Sequence, residues 1–278
     1  MSERKLAIVM SGGGTRSVYG AGALLAIAEQ YGLTEPELMV AESGSVLSSM
    51  YYLAKQYPRM VAGWINVPGT PGFMSMVRRP FINLDIMERA LRETIPLDTV
   101  ALAVAKTLLY VPLTRVRDGA VVYHRLSRDE NPYELLRAAE ALPIFYGKRV
   151  PVGNELYVDG GFGAHLDDHV RYALEQGATH VIVIQSSGGP GSWMRRLYQT
   201  AGMLWRREGL TGLASAAQHE IAAPRKLVVP EHVKMVRIAP TTALPVSLNT
   251  KAKMKLRSAF DLGYADTMAS GALRAFFA

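Results

Sequence analysis

Hydrophobic positions fall along the chain as short unbroken runs that alternate with longer stripes at helical spacing. Leu6-Ala7-Ile8-Val9-Met10 is an apolar run closed by Gly12-Gly13-Gly14, the pattern of a strand buried on both faces that ends in a tight turn. From Val18 to Gln30 the apolar residues Ala21, Leu24, Leu25 and Ala28 keep helical spacing, and Gly32 stands where a helix C-cap would end it. The same unit then recurs. Leu38-Met39-Val40-Ala41 predicts a second strand, Glu42-Ser43-Gly44 an abrupt turn, and Ser45 to Tyr57 a helix that stops before Pro58.

The middle of the chain is less regular. Pro68, Gly69, Pro71, Gly72 and Pro80 make 66–82 loop-like, with apolar Phe73, Met74, Met76 and Val77 inside it. Asp85 to Thr94 predicts a short amphipathic helix, and Ala101 to Thr114 and Ala120 to His124 predict strands. Further on, Pro132 to Leu142 reads as a helix, Leu156 to Val158 as a strand entering Asp159-Gly160-Gly161, Val170 to Gln176 as a helix capped by Gly177, and Val181 to Ile184 as a buried strand. Ser186 to Gly191 reads as a turn or linker, Trp193 to Glu208 as a helix, Val233 to Ile238 as a last strand and Thr250 to Phe277 as one or two helices.

Strands alternating with helices predict an α/β fold, a three-layer sandwich around a central, mostly parallel sheet. The chain shows no repeat of fixed period and no composition shift that would split it, so 1–278 is expected to form one domain. Composition adds bounds. Hydrophobic residues at 49% and charged residues at 20% suit a chain that builds a core. A net charge of +7 accords equally with plain solubility and with an anionic membrane surface; without a nucleic-acid-binding motif, a nucleic-acid partner is not expected. The chain has no cysteine, which removes disulfides, thiolate catalysis and Cys-based zinc sites. The run Leu6–Met10 is too short for a signal-peptide core or a membrane span, so a cytoplasmic protein, peripheral to a membrane when bound, is expected.

Candidate chemistry gathers at the turns after strands. Three glycines in succession let the backbone present consecutive N–H groups to an anion, either phosphate or an oxyanion. The string Gly12-Gly13-Gly14-Thr15-Arg16-Ser17 lacks the sixth-position glycine of a dinucleotide fingerprint, and no Gly-Lys-Ser/Thr follows to make a Walker loop. Ser43 occupies a strand-to-helix turn, where a nucleophile elbow carries G-x-S-x-G; here the flanking positions are Ala41 and Ser45, and a helix-capping serine is the plain alternative. Among the six histidines none completes a Ser-His-Asp order of the hydrolase type, which leaves Asp159 as the better candidate base. Following an apolar strand, it is expected at the carboxyl end of a parallel strand, the edge where open α/β sheets bind ligands.

Taken together these pieces resemble the patatin-like phospholipases. Gly12-Gly13-Gly14-Thr15-Arg16 matches the family's G-G-G-x-R loop, Ser43 its nucleophile, and Asp159-Gly160-Gly161 its D-G-G or D-G-A. The likeness spans roughly residues 5–185 and extends weakly to Leu244-Pro245-Val246 and Gly263-Tyr264. It implies lipid acyl hydrolysis by a Ser43–Asp159 dyad through an acyl-enzyme, with the Gly12, Gly13 and Gly14 backbone as oxyanion hole and Arg16 in support. It implies no metal and no cofactor. The expected partner is a lipid or lipid-like ester, with transient contact at a membrane surface.

Ser17, Ala41 and Ser45 stand where the family has glycine. Side chains at 17 or 45 are expected to narrow the pocket or shift the oxyanion donors, and a catalytically weak or inactive lipid-binding or regulatory protein is the alternative. An anion or nucleotide binder built on the glycine loop is a third. His165-Leu166-Asp167-Asp168-His169 has a spacing that could ligate zinc on a helix, yet reads better as a solvated loop and helix start. Trp193 to Arg207 interleaves Trp, Met and Leu with paired arginines, and the Phe73–Phe81 loop carries Arg78 and Arg79; both compositions suit an interface with lipid or packing against the core. Head group, chain length and oligomeric state are not encoded in any motif.

Overall fold

Alternation of side chains along each strand divides the sheet's apolar residues between two faces, and both are covered. The computed structural model describes residues 4–75, 77, 80–186 and 192–278. Met76, Arg78, Arg79, most of the expected 186–191 turn and the side chain of Trp193 lie outside the described residues.

The chain begins with β1 (Leu6–Met10), α1 (Val18–Tyr31), β2 (Leu38–Ala41), α2 (Gly44–Leu53), α3 (Tyr57–Asn66), α4 (Leu84–Glu93) and α5 (Thr99–Ala103). It continues through β3 (Leu108–Arg115), β4 (Val121–Arg125), α6 (Pro132–Ala139), β5 (Val150–Val152), β6 (Glu155–Asp159), α7 (Leu166–Glu175) and β7 (His180–Ile184). The last elements are α8 (Ser192–Arg207), α9 (Thr211–Ile221), β8 (Lys234–Ile238), α10 (Lys253–Ala269) and α11 (Gly271–Phe277).

One eight-stranded sheet runs in the order β5-β6-β3-β2-β1-β7-β8, with β4 also on β3. The pairs β1–β2, β1–β7, β2–β3 and β7–β8 are parallel, whereas β4 and β6 run antiparallel to β3 and β5 antiparallel to β6. The expected mostly parallel α/β sheet is therefore present. Ile8, Met10, Met39, Ile182 and Ile184 pack with α1, α2 and α10 on one face. Ala7, Val9, Val40, Val181 and Val183 pack with Val170 and Ala173 of α7 on the other. A third cluster joins Phe162, just beyond β6, to Met194 and Tyr198 of α8 and to Leu213 and Ala217 of α9.

Two expected elements change, and helices appear that the pattern did not predict. The helix predicted over 45–57 ends at Leu53; Lys55 turns the chain at φ 56°, and Pro58 then sits in the first turn of α3, where its missing N–H costs nothing. The first part of the strand predicted from Ala101 is the helix α5, because Asp98 caps it by accepting the Ala101 N–H at 2.9 Å. The helix α9, absent from the expectations, lies against α8 and the turn after β6.

Candidate active site

β1 and β2 lie side by side, so the loops that follow them meet at one edge of the sheet. There Ser43 adopts φ 50° and ψ −131°, outside the regions ordinary residues prefer, between the end of β2 and the start of α2. A strained turn of this kind lifts a side chain above the sheet edge while the helix N-terminus points at it. Close packing surrounds it. A Cβ at Gly44 would stand 2.8 Å from the Gly14 carbonyl, and one at Gly12 would stand 2.8 Å from the Ser43 Cβ. The two loops touch backbone to backbone.

The substitutions at the elbow have structural partners. Ser45 is fully buried and its Oγ donates to the Ser11 carbonyl at 2.6 Å; Ser17 is fully buried beneath Gly44. Neither lines the cavity, so the expectation that their side chains narrow the pocket is corrected: both turn away from it, into the packing between the two loops. The glycine loop itself is held from outside, with the Thr15 N–H donating to the Leu248 carbonyl at 3.1 Å and the Thr15 hydroxyl to the Ser247 carbonyl at 2.7 Å. Gly13 and Gly14 line the cavity at φ 138° and 56°, and among the described residues their N–H groups donate to no protein acceptor.

Asp159 reaches the site by a route different from the expected one. It ends a strand antiparallel to β3, in register with Leu113, rather than a parallel strand. β3 is eight residues long and pairs with β2 only through Leu108–Tyr110, so its far end overruns the parallel sheet. β6 pairs with that overrun and descends toward the edge that the parallel strands climb to. The Asp159 Oδ1 accepts the Gly161 N–H at 2.9 Å, while Oδ2 is buried without a hydrogen-bond partner among the described residues. No hydrogen bond of normal geometry joins it to Ser43 there, although the serine hydroxyl lies near enough to pull the carboxyl's pKa downward.

The electrostatics are those of crowded acids. Burial, and after it the charge of Glu42, pushes Asp159 well above the usual carboxylate range. Burial likewise raises Glu220 to about 9, with Glu42 and Asp159 adding to it, and Glu140 to about 7. Glu42, Ser43, Asp159 and Glu220 share a cavity of about 150 Å³ with Arg16, the glycine loop and the apolar Leu142, Leu166, Met194 and Leu248.

Ser43, Asp159, Gly13, Gly14 and Arg16 thus converge on one cavity, and Gly12 packs directly behind Ser43. The helix start expected at His165–His169 is present, with His165 as the N-cap of α7, but the segment is not solvated. His165 lines the cavity, and His169, on the buried side of α7, is fully enclosed with Nε2 3.1 Å from Glu42 Oε2. Glu42, His169, Glu220 and Tyr198 went unrecognised as site residues in the sequence. The available signal was a carboxylate beside the elbow serine, too common a neighbour to stand out.

A model of the patatin-like phospholipases matches residues 8–166, more than half of the 278-residue chain. The chain belongs to this family. Its members are lipid acyl hydrolases, and the matched span runs from β1 through the glycine loop, the elbow and the Asp159 turn to the start of α7. Among solved structures the chain is similar to VipD from Legionella pneumophila at 12% identity and a TM-score of 0.47, over 96% of this chain and 66% of that one. The chain thus spans just under two thirds of that protein's length. No curated protein matches it in sequence. No helix among the described residues is long and apolar enough to cross a membrane.

Proposed function

We propose that the chain hydrolyses carboxylic esters of lipids or lipid-like molecules, with Ser43 as nucleophile and Asp159 as base. The observation that carries this is Ser43 held at a strained strand-to-helix turn, in one cavity with a buried carboxyl and two unengaged glycine N–H groups. Asp159 takes the Ser43 Oγ proton as Oγ attacks the ester carbonyl carbon, and the N–H groups of the Gly12–Gly14 loop stabilise the oxyanion. Collapse returns the proton from Asp159 to the departing alkoxide and leaves Ser43 acylated. Water, deprotonated by Asp159, then attacks the acyl carbon, and collapse breaks the bond to Ser43 Oγ, returns the proton from Asp159 to Oγ and releases the acid.

Arg16 supports the loop and lends it positive charge. The raised affinity of Asp159 for protons makes it a stronger base than an exposed aspartate, as proton abstraction from a serine requires. At about 150 Å³ the cavity is smaller than the roughly 300–1,000 Å³ of sites that enclose a drug-sized ligand, so the ester and a short stretch of chain enter while the rest stays outside. That geometry suits a substrate still seated in a surface. α8 offers the contact: Met194 and Tyr198 are buried, while Met203 and Leu204 are 61% and 50% exposed beside Arg206 and Arg207. We assign it a transient contact with anionic membrane, which co-sedimentation with anionic vesicles at low salt tests.

The dyad is tested by reacting the protein with a fluorophosphonate probe and by hydrolysis of a short-chain nitrophenyl ester. Stoichiometric labelling at Ser43, abolished by Ser43→Ala, is expected. An inert Ser43, or hydrolysis that survives Ser43→Ala, refutes the proposal and favours a binding protein that keeps the fold.

A further inference from the structure

Behind the Ser43–Asp159 pair runs a chain of side chains, fully buried at His169 and half-buried at its two ends, that the dyad does not use. Glu42 Oε2 is 3.1 Å from His169 Nε2, and His169 Nδ1 is 3.0 Å from the Tyr123 hydroxyl. The three residues come from the turn after β2, from α7 and from β4. A carboxylate can only accept, so the Nε2–H donates to Glu42, and Nδ1 pairs with the Tyr123 hydroxyl. Tyr123 is itself stacked on Tyr172, centroid to centroid at 3.7 Å, which fixes the outer end of the chain. An ordinary exposed elbow carboxylate has no such scaffold.

The other carboxylate oxygen occupies a slot that exists only because two neighbours are glycine. A Cβ at Gly12 would stand 2.7 Å from Glu42 Oε1, and one at Gly161 would stand 2.0 Å from it. Both glycines belong to the strings that define the site. Here their missing side chains make room for a carboxylate from the same protein, between the glycine loop and the Asp159 turn.

We propose that Glu42 is a positioning residue for the Ser43–Asp159 pair: gripped by the His169–Tyr123 chain, its carboxylate wedges between Gly12 and Gly161 and holds the oxyanion loop and the Asp159 turn in register. A fixed charge at this point also acts on the base. Asp159 faces Glu42 and Ser43 from the elbow, Glu140 from the end of α6, Tyr198 from α8 and Glu220 from α9, with Arg16 on the same cavity wall. Glu42 is the carboxylate among these that has a buried hydrogen-bond donor holding it.

The inference rests on the dyad proposed above, and the tests separate the two. Glu42→Gln keeps the size and an acceptor for His169 but removes the charge. It is expected to leave KM and thermal unfolding near wild type, lower kcat, and move the acid limb of the pH–rate profile down by about one unit. Gly161→Ala is expected to lower kcat by about a hundredfold. Because its added methyl collides with Glu42, Gly161→Ala combined with Glu42→Ala is expected to be no slower than Glu42→Ala alone. An unchanged acid limb in Glu42→Gln, or losses that multiply in the double variant, overturns the positioning role while Ser43 still labels. Hydrolysis surviving Ser43→Ala overturns the dyad and this inference with it.

Discussion

Ser45 Oγ donates to the main-chain carbonyl of Ser11 at 2.6 Å, while Ser11 Oγ accepts the Ser186 N–H at 2.8 Å. The residue that replaces an elbow glycine therefore ties α2 to the end of β1, and through Ser11 to the end of β7. Restoring the glycine is expected to harm the protein. Ser45→Gly leaves a buried carbonyl unsatisfied and adds helix flexibility, for a loss of about 1–3 kcal/mol in urea unfolding and a lower kcat. A more active and equally stable Ser45→Gly protein would count against the tie.

Gly14 combines φ 56° with a Cβ position only 2.5 Å from the Leu248 carbonyl. Gly14→Ala must displace either the glycine loop or the Ser247–Leu248 segment, so ester hydrolysis is expected to fall at least about a hundredfold, the scale of losing one oxyanion donor. Gly153 has nearly the same φ, 58°, with nothing within 4 Å. Gly153→Ala is therefore the control, costing about 1 kcal/mol in strain and no activity.

Asp159 is 1% exposed and its Oδ2 has no hydrogen-bond partner among the described residues. Ionising it in place is unfavourable, so a neutral side chain of the same shape is tolerated. Asp159→Asn is expected to abolish hydrolysis of a nitrophenyl ester with no fall in the melting temperature at neutral to mildly alkaline pH. A large drop in melting temperature would mean that the carboxylate serves the fold.

Glu220 binds its proton more tightly folded than unfolded, with its pKa raised from 4.5 to about 9 chiefly by burial. Between those values the unfolded chain has released a proton that the folded chain keeps, so this group's stabilising effect is full below about pH 4.5 and is lost as pH rises toward about 9. Glu220→Gln is expected to flatten the decline in melting temperature over that range. Parallel curves for the two proteins would refute it.

Much of the candidate site's geometry was legible in the chain. Gly12-Gly13-Gly14, Ser43 and Asp159 each follow an apolar run, and strand ends of an open α/β sheet bring such turns together. Less legible were segments whose partners are distant. The break after Leu53 depends on Lys55 adopting a left-handed turn, and α5 wins over a longer strand because Asp98 caps it. His169 looked like a solvated residue because its pattern of neighbours is polar, whereas its partner Glu42 lies 127 residues away.

Periodicity and turn chemistry act over a few residues, and they carry the alternation of β and α, the buried sheet and the elbow at Ser43. The direction of β6 was beyond them: an apolar run ending in Asp-Gly-Gly has the same pattern whether its partner runs parallel or antiparallel. The overrun of β3 settles it, since only a strand that extends past β2 offers Asp159 a register at Leu113. Burial and charge in the cavity are likewise collective. Asp159 and Glu220 are far apart along the chain, and their raised proton affinity arises only when folding removes water from both and brings Glu42 beside them.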